Sequence, residues 1–341
     1  MSGAILLQSF MIAQLGPASA PLHSRYPDDL ILTLTINPAV DKNILADRLV
    51  FEDRASIVAR SESAGGRGIN ASRVLHSFGA DTIAIATSGG ATGERFEELL
   101  AGAGFPVEVV KIDAEIRSNL TITDHHGLTI KLNEAGPVIT KAELAEVQKL
   151  VSQHLEKAEW LMLCGSVPPE VPSDFYCALI EMARDAGVNT LLDTDGDALL
   201  HGIVAKPTAV SPNQAEAERL LNRVLMTRAH FVDAALKLKE MGPESVLLSL
   251  GSHGAIGADQ DGIFEAIPPR IEAVSPIGAG DAMAAAFVWA RAQGHSFADS
   301  VRWGVAEGTA SAQLPGLEFA TPEQSRAIYK HVEIRSASTY A

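Results

Sequence analysis

The chain has 341 residues, of which 47% are hydrophobic and 20% are charged, and its formal net charge at pH 7 is −15. This composition indicates a globular protein with a large core and excludes a disordered chain. The acidic balance argues against nucleic acid as a partner, because phosphate backbones need a basic surface. A small phosphorylated ligand is compatible with it, since such a ligand needs only a local cluster of Arg or Lys.

Residues 1–27 differ from the rest of the chain. A moderately apolar run at 4–15 precedes Ala18-Ser19-Ala20, which resembles a signal-peptidase site. No Lys or Arg stands before that run, and polar residues interrupt it. We therefore expect a disordered leader or a misassigned start codon, with a secretion signal as the alternative. No later run is long enough to cross a membrane, so we expect a cytoplasmic protein without a membrane partner.

The first predicted strand covers residues 30–36 and ends in the turn Asn37-Pro38. Asp41 follows just past the carboxyl end of this strand. Ligands collect at this edge of open α/β sheets, so Asp41 is a candidate binding residue. The alternative is a turn carboxylate that caps local N–H groups.

A glycine-rich loop, AGGRGIN at 64–70, opens a predicted helix at 71–78. It matches the G-x-G-x-x-A pattern of dinucleotide-binding proteins from Gly66 and Gly68 onward, so a nicotinamide-dependent dehydrogenase is one alternative. That match is weak, because no strand leads directly into the loop and the next acidic residue, Asp81, comes too early.

The remaining segments alternate between strands and helices. Strands are predicted at 44–59, 81–86, 107–112, 119–124, 128–132, 160–164, 190–193, 209–210, 245–249 and within 251–262. Helices are predicted at 94–101, 141–157, 173–186, 214–225, 230–241 and from 281 to about 330. Strands that alternate with amphipathic helices predict a parallel sheet covered on both faces. One α/β domain, interrupted early by a small β element, accounts for the pattern.

An apolar lead-in at 272–277 ends in Gly278-Ala279-Gly280-Asp281, and an Ala-rich helical run follows at once. Loop glycines at a helix start leave N–H groups unpaired, and the helix dipole adds positive potential, which suits a phosphate. The Asp281 carboxylate could accept a proton from an attacking hydroxyl beside this anion hole, as phosphoryl transfer requires. The alternative is that Asp281 caps the helix and the glycines form an ordinary turn.

Polar residues recur after the carboxyl ends of several predicted strands. They are Asp41, Ser166, Asp193, Asn213, Ser249 and Asp281. Parallel strands end at one edge of a sheet, so this recurrence predicts one shared site.

Eight motifs in a fixed order carry a resemblance to a known family. They are LTINPAVD at 34–41, AGGRGINASRVL at 64–75, SGGATGE at 88–94, TIKLNEAGP at 129–137, CGSVPPEVP at 164–172, PNQAE at 212–216, SLGSHGA at 249–255 and IGAGDAMAAAF at 277–287. From about residue 30 to 330 the chain resembles the PfkB family of ribokinase-like sugar kinases. The similarity is greatest to the branch of 1-phosphofructokinase, the minor bacterial 6-phosphofructokinase and tagatose-6-phosphate kinase.

This resemblance implies a ribokinase-like three-layer α/β fold over residues 28–335, with a mainly parallel central sheet flanked by helices. It also implies a small lid of β-strands from about 42–62 and 107–133. In this branch the lids of two copies pair, so a homodimer through the lid is expected.

The resemblance also implies roles for the residues of its motifs. Asp281 would be the general base, beside an anion hole formed by the N–H groups of Gly278, Ala279 and Gly280. ATP would lie along Asn213, Ser249, Gly251 and Gly254. Asn213 and Glu216 would help to hold Mg²⁺, largely through water. A potassium requirement is left open.

The implied substrate contacts fall into two groups. Sugar hydroxyls would be bound by Asp41, Gly66 and Asn70. The phosphate already on the substrate would be bound by Arg117, by Arg54 from the neighbouring subunit's lid and by the Ser166 hydroxyl, with Arg67 as a further candidate that could equally point to solvent. Guanidinium groups suit phosphate because they bind it bidentately. The expected substrate is therefore a phosphorylated ketohexose, which ATP converts to the bisphosphate.

Four positions depart from the family pattern. Ser211 replaces a lysine near the ATP phosphates, Pro276 a threonine, Glu170 a glycine and Ala282 a serine. None removes the base or the magnesium residues, so we expect an active phosphotransferase with an alcohol group as acceptor.

The motifs leave the substrate open. SGGATGE resembles the minor 6-phosphofructokinase, whereas KLNEAGP resembles 1-phosphofructokinase and tagatose-6-phosphate kinase. Fructose 6-phosphate, fructose 1-phosphate and tagatose 6-phosphate are all candidates. The alternatives are a kinase of a free sugar or nucleoside, and a non-catalytic regulatory protein that binds a sugar phosphate or nucleotide.

Overall fold

The computed structural model describes residues 30–50 and 52–336, and the leader expected at 1–27 lies outside these described residues. The strands are β1 (Leu30–Thr35), β2 (Ala39–Ala46), β3 (Ile57–Gly65), β4 (Thr82–Ser88), β5 (Val107–Lys111), β6 (Arg117–Asp124), β7 (Thr129–Asn133), β8 (Ala158–Cys164), β9 (Asn189–Asp193), β10 (Ala209–Val210), β11 (Ser245–Ser249), β12 (Ala255–Ala258), β13 (Ile263–Ile267) and β14 (Glu333–Ser336). The helices are α1 (Arg67–Ser77), α2 (Gly90–Leu100), α3 (Lys141–Leu155), α4 (Phe175–Asp185), α5 (Gly196–Val204), α6 (Gln214–Leu220), α7 (Arg228–Glu240), α8 (Ala279–Ala292), α9 (Phe297–Ser311) and α10 (Pro322–Tyr329).

Ten strands form the main sheet in the order β14-β13-β12-β11-β10-β9-β8-β1-β4-β5. The run from β11 to β5 is parallel, and β12, β13 and β14 extend it in antiparallel fashion. Strand β1, in the middle of the parallel run, is apolar or Thr at every position because helices cover both faces of the sheet.

Two layers of helices enclose this sheet. Helices α1, α8 and α9 pack on one face, where they bury Ile31 of β1. Helices α2 to α5 cover the other face and bury Leu32, and α7 continues that layer beyond them. The carboxyl ends of the parallel strands therefore meet the starts of several helices at one edge.

A second sheet of four strands has the order β3-β2-β6-β7. Successive side chains along each of its strands point to opposite faces of the sheet. Asp41, Ser63 and Asn119 are paired in register and share one face. Ile44, Ile122 and Ile130 are likewise paired across three strands and share the other face. One face of this sheet is therefore polar, and the other carries an apolar row that is flanked by Arg60 and Glu62 of β3.

The predicted lid range of 107–133 divides between the two sheets. Strand β5 pairs in parallel with β4 at the edge of the main sheet, whereas β6 and β7 belong to the second sheet. The assignment of residues 107–112 to the lid was therefore wrong. A short strand pattern shows that a strand exists but not which neighbour it will pair with, since that choice depends on distant contacts.

Three of the described elements have no counterpart in the prediction, namely α5, β13 and β14. Helix α6 ends at Leu220, five residues earlier than expected. In the part of the chain that the structure describes, no helix has both the length and the apolar character needed to cross a bilayer.

Candidate active site

The first turn of α8 lies at the carboxyl edge of the sheet and is built around glycine. Gly278 is the N-cap residue and has a φ of 78°, in the left-handed region that favours glycine. A Cβ on this residue would lie 2.8 Å from Leu317 Cδ1, so a larger residue would be strained and would have to displace that side chain. N–H groups in a first helical turn lack partners within the helix. Ala279 N–H makes a long bond of 3.3 Å to the Pro276 carbonyl, so this turn can still accept an anion.

Asp281 is the third residue of α8 and therefore not its N-cap. Asn70 Nδ2 donates a hydrogen bond of 2.7 Å to Asp281 Oδ2. Burial, and after it the negative charge of Asp193, raise the pKa of Asp281 to about 7, against the hydrogen bond from Asn70 and the charge of Arg67. A carboxylate with a pKa near neutrality is well suited to accept a proton from a substrate hydroxyl.

A cleft of about 900 Å³ separates the polar face of the second sheet from the loops at 274–277 and 315–318. The sheet contributes mainly hydroxyl, amide and amino groups to it. They belong to Asn43, Ser61, Ser63, Thr121, Thr123, Thr129 and Lys131. Such a lining suits a ligand rich in polar groups.

Asp41 lies at the base of the second sheet, where Asn119 Nδ2 donates to its Oδ1 at 2.8 Å. Gly65 has to lack a side chain, because a Cβ there would lie 2.0 Å from Asp41 Oδ2. Burial raises the pKa of Asp41, while Asn119 and the charge of Arg117 oppose that shift. Asn119 was not predicted, although it lies two residues after Arg117 in the same strand and therefore on the same face.

Arg117 is half-buried at the start of β6. Its Nη1 donates to the Glu134 carbonyl at 3.0 Å and its Nη2 to the Asn37 carbonyl at 3.1 Å. Asn37 Nδ2 in turn donates to Ser166 Oγ at 3.1 Å. The structure thus joins Arg117 and Ser166 through Asn37, a residue that the sequence presented only as part of a turn.

Several buried polar atoms around these residues have no hydrogen-bond partner among the described residues. They are Thr35 Oγ1, Asn37 Oδ1, Ser63 Oγ, Asn70 Oδ1, Arg117 Nε and Asn119 Oδ1. A buried polar atom without a partner costs about 1–3 kcal/mol, so native proteins rarely tolerate a group of them. Their concentration here indicates a binding site for a ligand with many hydroxyl or phosphate oxygens.

Arg67 is tied to three carboxylates. Its Nη1 lies 2.7 Å from Asp193 Oδ1, and its Nη2 lies 3.0 Å from Asp195 Oδ2 and 3.2 Å from Glu216 Oε1. The charges of Asp193, Glu216 and Asp281, Asp193 first, raise the pKa of Arg67 above its ordinary value, against the effect of burial. The guanidinium neither points freely to solvent nor is available to a substrate phosphate unless these pairs break.

Asn213 and Glu216 form a capping box at the start of α6. Asn213 Oδ1 accepts from Glu216 N at 2.9 Å, and Glu216 Oε2 accepts from Asn213 N at 2.9 Å. The remaining oxygen of Glu216 faces Arg67. Burial raises the pKa of Glu216, and the charge of Arg67 opposes this.

The carboxylate oxygens around Arg67 are ligands that a hard cation prefers, and their positions suit such a cation in part. Asp193, Asp195 and Glu216 already converge on one positive charge, and Mg²⁺ prefers oxygen ligands. Within residues 30–50 and 52–336, however, no three His, Cys, Asp or Glu side chains are placed to hold a metal directly. The donor set therefore fits a magnesium ion that keeps most of its water.

The candidate nucleotide residues lie beside this cluster. Asn213 and Ser249 form an isolated β-bridge, and Ser249 N donates to the Pro212 carbonyl at 2.9 Å. Gly251 opens the short 3₁₀ turn that follows. Gly254 follows this turn and packs against β13, since a Cβ on Gly254 would lie 1.9 Å from the Ala266 carbonyl oxygen.

Arg54 is not brought to this site within one chain. It is exposed in the connection between β2 and β3, beyond the pairing of Ala46 with Ile57. The distance along β2 from Asp41 to Ala46 is roughly 16 Å at about 3.3 Å per residue. The remaining candidate substrate residues, Asp41, Gly66, Asn70, Arg117 and Ser166, do lie together around the carboxyl end of β1.

A carboxylate beside the first turn of a helix, at the carboxyl edge of a parallel α/β sheet, suits the transfer of a phosphoryl group to a hydroxyl group. Residues 38–324 match the model of the pfkB family carbohydrate kinases. The chain belongs to this family, which confirms the resemblance and the assignment as a kinase.

Three characterised relatives share about the same identity with the chain. ATP-dependent 6-phosphofructokinase isozyme 2 of Escherichia coli strain K12 is 30% identical over 89% of this chain and 98% of its own length. Tagatose-6-phosphate kinase of Staphylococcus epidermidis strain RP62A is 31% identical over 75% of this chain and 83% of its own. 1-Phosphofructokinase of Borreliella burgdorferi is 32% identical over 83% of this chain and 92% of its own.

Solved structures confirm the three-layer fold. Phosphofructokinase-2 from Escherichia coli in complex with potassium superimposes with a TM-score of 0.84 at 30% identity, covering 88% of this chain and 98% of its own. Arabidopsis thaliana ribokinase, complexed with ribose and ATP, gives a TM-score of 0.72 at 21% identity over 89% of this chain and 99% of its own. The second likeness establishes the ribokinase-like fold alone.

Proposed function

We propose that the chain transfers the γ-phosphoryl group of ATP to a hydroxyl of a phosphorylated ketohexose, giving the bisphosphate and ADP. Arg117 carries the proposal. The Nε atom of its half-buried guanidinium belongs to the cluster of unpartnered polar atoms that extends to Asn70, which holds Asp281. A free sugar needs hydroxyl partners but no guanidinium, whereas a second phosphate needs one.

Asp281 is the general base of this reaction. Asn70 engages its Oδ2, which leaves Oδ1 to take the proton of the attacking hydroxyl. As the oxygen of the substrate hydroxyl bonds to the γ-phosphorus, the bond between that phosphorus and the oxygen that bridges it to ADP breaks, and ADP leaves. The first-turn N–H groups of Gly280 and its neighbours stabilise the charge on the phosphoryl oxygens.

Magnesium would be held near Glu216, Asp193 and Asp195, where it would neutralise charge on the ATP phosphates. Direct coordination by Glu216 Oε1 requires Arg67 to withdraw, whereas coordination through water leaves the ion pairs intact. We favour binding through water. Since Ser211 supplies no positive charge, Arg67 is the basic group that offsets the carboxylates on this side.

The substrate is decided by an assay of ADP release with Mg-ATP against fructose 6-phosphate, fructose 1-phosphate, tagatose 6-phosphate, free fructose and ribose. We expect turnover on one of the phosphorylated ketohexoses and at least 100-fold lower kcat/KM on the free sugars, on the order of 3 kcal/mol. Equal turnover of free fructose would contradict the role of Arg117. Retained ATP binding without turnover of any sugar would favour a regulatory protein, for which Ser211 and Pro276 are the best support.

We also propose a homodimer in which two second sheets meet through the face that carries their apolar row. Ile44, Ile122 and Ile130 form a row across this face, and Leu132 beside them is 55% exposed. An apolar row of this kind on a small sheet is typical of a protein interface. The pairing would also give Arg54 a route to the partner's cleft. A cytoplasmic location stays a prediction.

We expect Leu132→Asp to convert the dimer to a monomer and to lower kcat/KM about 100-fold, because a buried charge opposes the interface. Light scattering on the purified protein measures the assembly. Val224→Asp, at a residue that is 66% exposed in the loop after α6, is the matched control and should leave both properties unchanged. A wild-type chain that is an active monomer would refute the dimer.

A further inference from the structure

The loop between α9 and α10, at 312–321, supports the segment that leads into the anion hole. The Ala312 carbonyl accepts from Val274 N at 2.8 Å and from Ser275 N at 3.1 Å. The Gly316 carbonyl accepts from Ser275 Oγ at 2.8 Å. Three hydrogen bonds thus attach the entry of α8 to this loop.

Packing reinforces this attachment at the first turn of α8. Leu317 and Phe319 fill the space beside Gly278, where a Cβ would lie 2.8 Å and 3.0 Å from their nearest atoms. Gly308 of α9 packs equally closely against the opposite side of this turn, since a Cβ on Gly308 would be 2.7 Å from the Ala279 carbonyl oxygen. The position of the anion hole therefore depends on where α9 and its following loop lie.

Glu307 fixes both ends of that loop. It is fully buried on α9, and its Oε1 accepts from Ser311 Oγ at 2.9 Å. Its Oε2 accepts from Ser325 Oγ on α10. Ser311 Oγ also accepts from Ala320 N at 2.9 Å, at the far end of the loop. One carboxyl group thus connects the end of α9, the end of the loop and the first turns of α10.

A buried carboxyl group that joins two helices lowers the free energy of unfolding, because burial removes it from water. Burial raises the pKa of Glu307 to about 7, and the hydrogen bonds from Ser325, Ser311 and the Ala320 backbone only partly oppose this. Well-packed apolar residues often hold such contacts with equal or greater stability. Stability alone therefore does not account for a polar connection here, whereas the need to fix the geometry of the loop does.

We propose that Glu307 is a positioning residue for phosphoryl transfer, which acts through the 312–321 loop to hold in place the first turn of α8, the turn that carries Asp281. This inference rests on the proposed function. Glu307 touches neither substrate, and nothing in the resemblance or the predicted site pointed to it. Its loss should weaken stabilisation of the transition state and leave substrate binding in the cleft intact.

The test compares Glu307→Leu, Glu307→Gln and wild type by amide hydrogen exchange without ligands and by steady-state kinetics. In Glu307→Leu we expect exchange at 274–282 and 312–320 to accelerate about tenfold or more, and kcat to fall about tenfold with KM for the phosphosugar unchanged. Glu307→Gln keeps the size and the hydrogen-bonding capacity of the protonated carboxyl, so it should stay within about threefold of wild type.

Thr82→Val is the control for general destabilisation. It removes a buried hydrogen bond of 2.9 Å to the Ile31 carbonyl at the amino end of β4, opposite the edge of the sheet where α8 begins, and should leave exchange at 274–282 and kcat unchanged. Should Glu307→Leu fail to fold, Ser311→Ala breaks the same connection and carries the same expectations. Unchanged exchange at 274–282 would overturn the inference, as would a kcat loss shared by Thr82→Val. The exchange measurement needs no substrate, so it decides the inference even if the proposed reaction is refuted.

Discussion

Asp281→Asn should lower kcat about 1,000-fold on the accepted phosphosugar while ATP binding stays within about threefold of wild type. A positioned general base contributes about 10²- to 10⁴-fold, and a 1,000-fold loss corresponds to about 4 kcal/mol of barrier. The asparagine keeps the size of the side chain and can still pair with Asn70, but it cannot take a proton. Single-turnover measurements of ADP formation, together with calorimetric titration of ATP, separate the chemical step from binding.

Asp259→Asn makes the same chemical change in the turn between β12 and β13, where Asp259 accepts from the backbone N–H groups of Asp261 and Gly262. It should leave kcat unchanged. In wild type, kcat/KM should be constant above about pH 7 and fall below it, because the raised pKa of Asp281 means that protonation removes the base in this range. If Asp281→Asn keeps more than a tenth of the wild-type kcat, Asp281 is not the base.

Arg117→Ala should raise KM for the phosphosugar about 100-fold and leave kcat/KM for the free sugar nearly unchanged. Removing one member of a buried, hydrogen-bonded charge pair costs about 2–5 kcal/mol, and 3 kcal/mol is about 100-fold in affinity. The ratio of kcat/KM values for phosphorylated and free sugar is the quantity to measure, because damage to the site as a whole would lower both.

Arg117→Lys keeps the charge and loses the planar fork, so its KM should lie between those of wild type and Arg117→Ala. Arg184 offers a matched control, since it is an arginine that donates to a backbone carbonyl, that of Ala205, at 2.8 Å but lies on the surface of α4. Arg184→Ala should leave both sugars unaffected. An unchanged ratio in Arg117→Ala would mean that the second phosphate lies elsewhere and would reopen the free-sugar alternative.

Local patterns predicted most of the elements and their class. Apolar runs such as β1, glycines at the starts of α1 and α8, and the alternation after residue 140 are set by neighbours within a few positions. The same patterns did not assign β5 to the main sheet or reveal β14. Sheet membership and edge pairing depend on contacts between residues far apart in the chain.

The site shows the same division in its residues. Asp41 and Asp281 were candidates because each follows a strand or a glycine loop that carries its own local signal, whereas Asn70 was a candidate through the family resemblance. Asn37 and Asn119 were missed, although Asn119 shares a strand face with Arg117. Arg67 was placed in the right loop, but its three carboxylate partners come from β9, the loop after it and α6.

The sequence by itself determined the fold class, the family and the composition of the glycine loop before α8, because these rest on short-range periodicity and on motifs with fixed spacing. Tertiary structure alone decided which charges neutralise one another and which polar atoms are left for a ligand. It also decided that a buried Glu307 lies behind the anion hole. Electrostatic pairing and burial are set by distances in space between residues up to about 200 positions apart, such as Asn70 and Asp281. No local pattern encodes those distances.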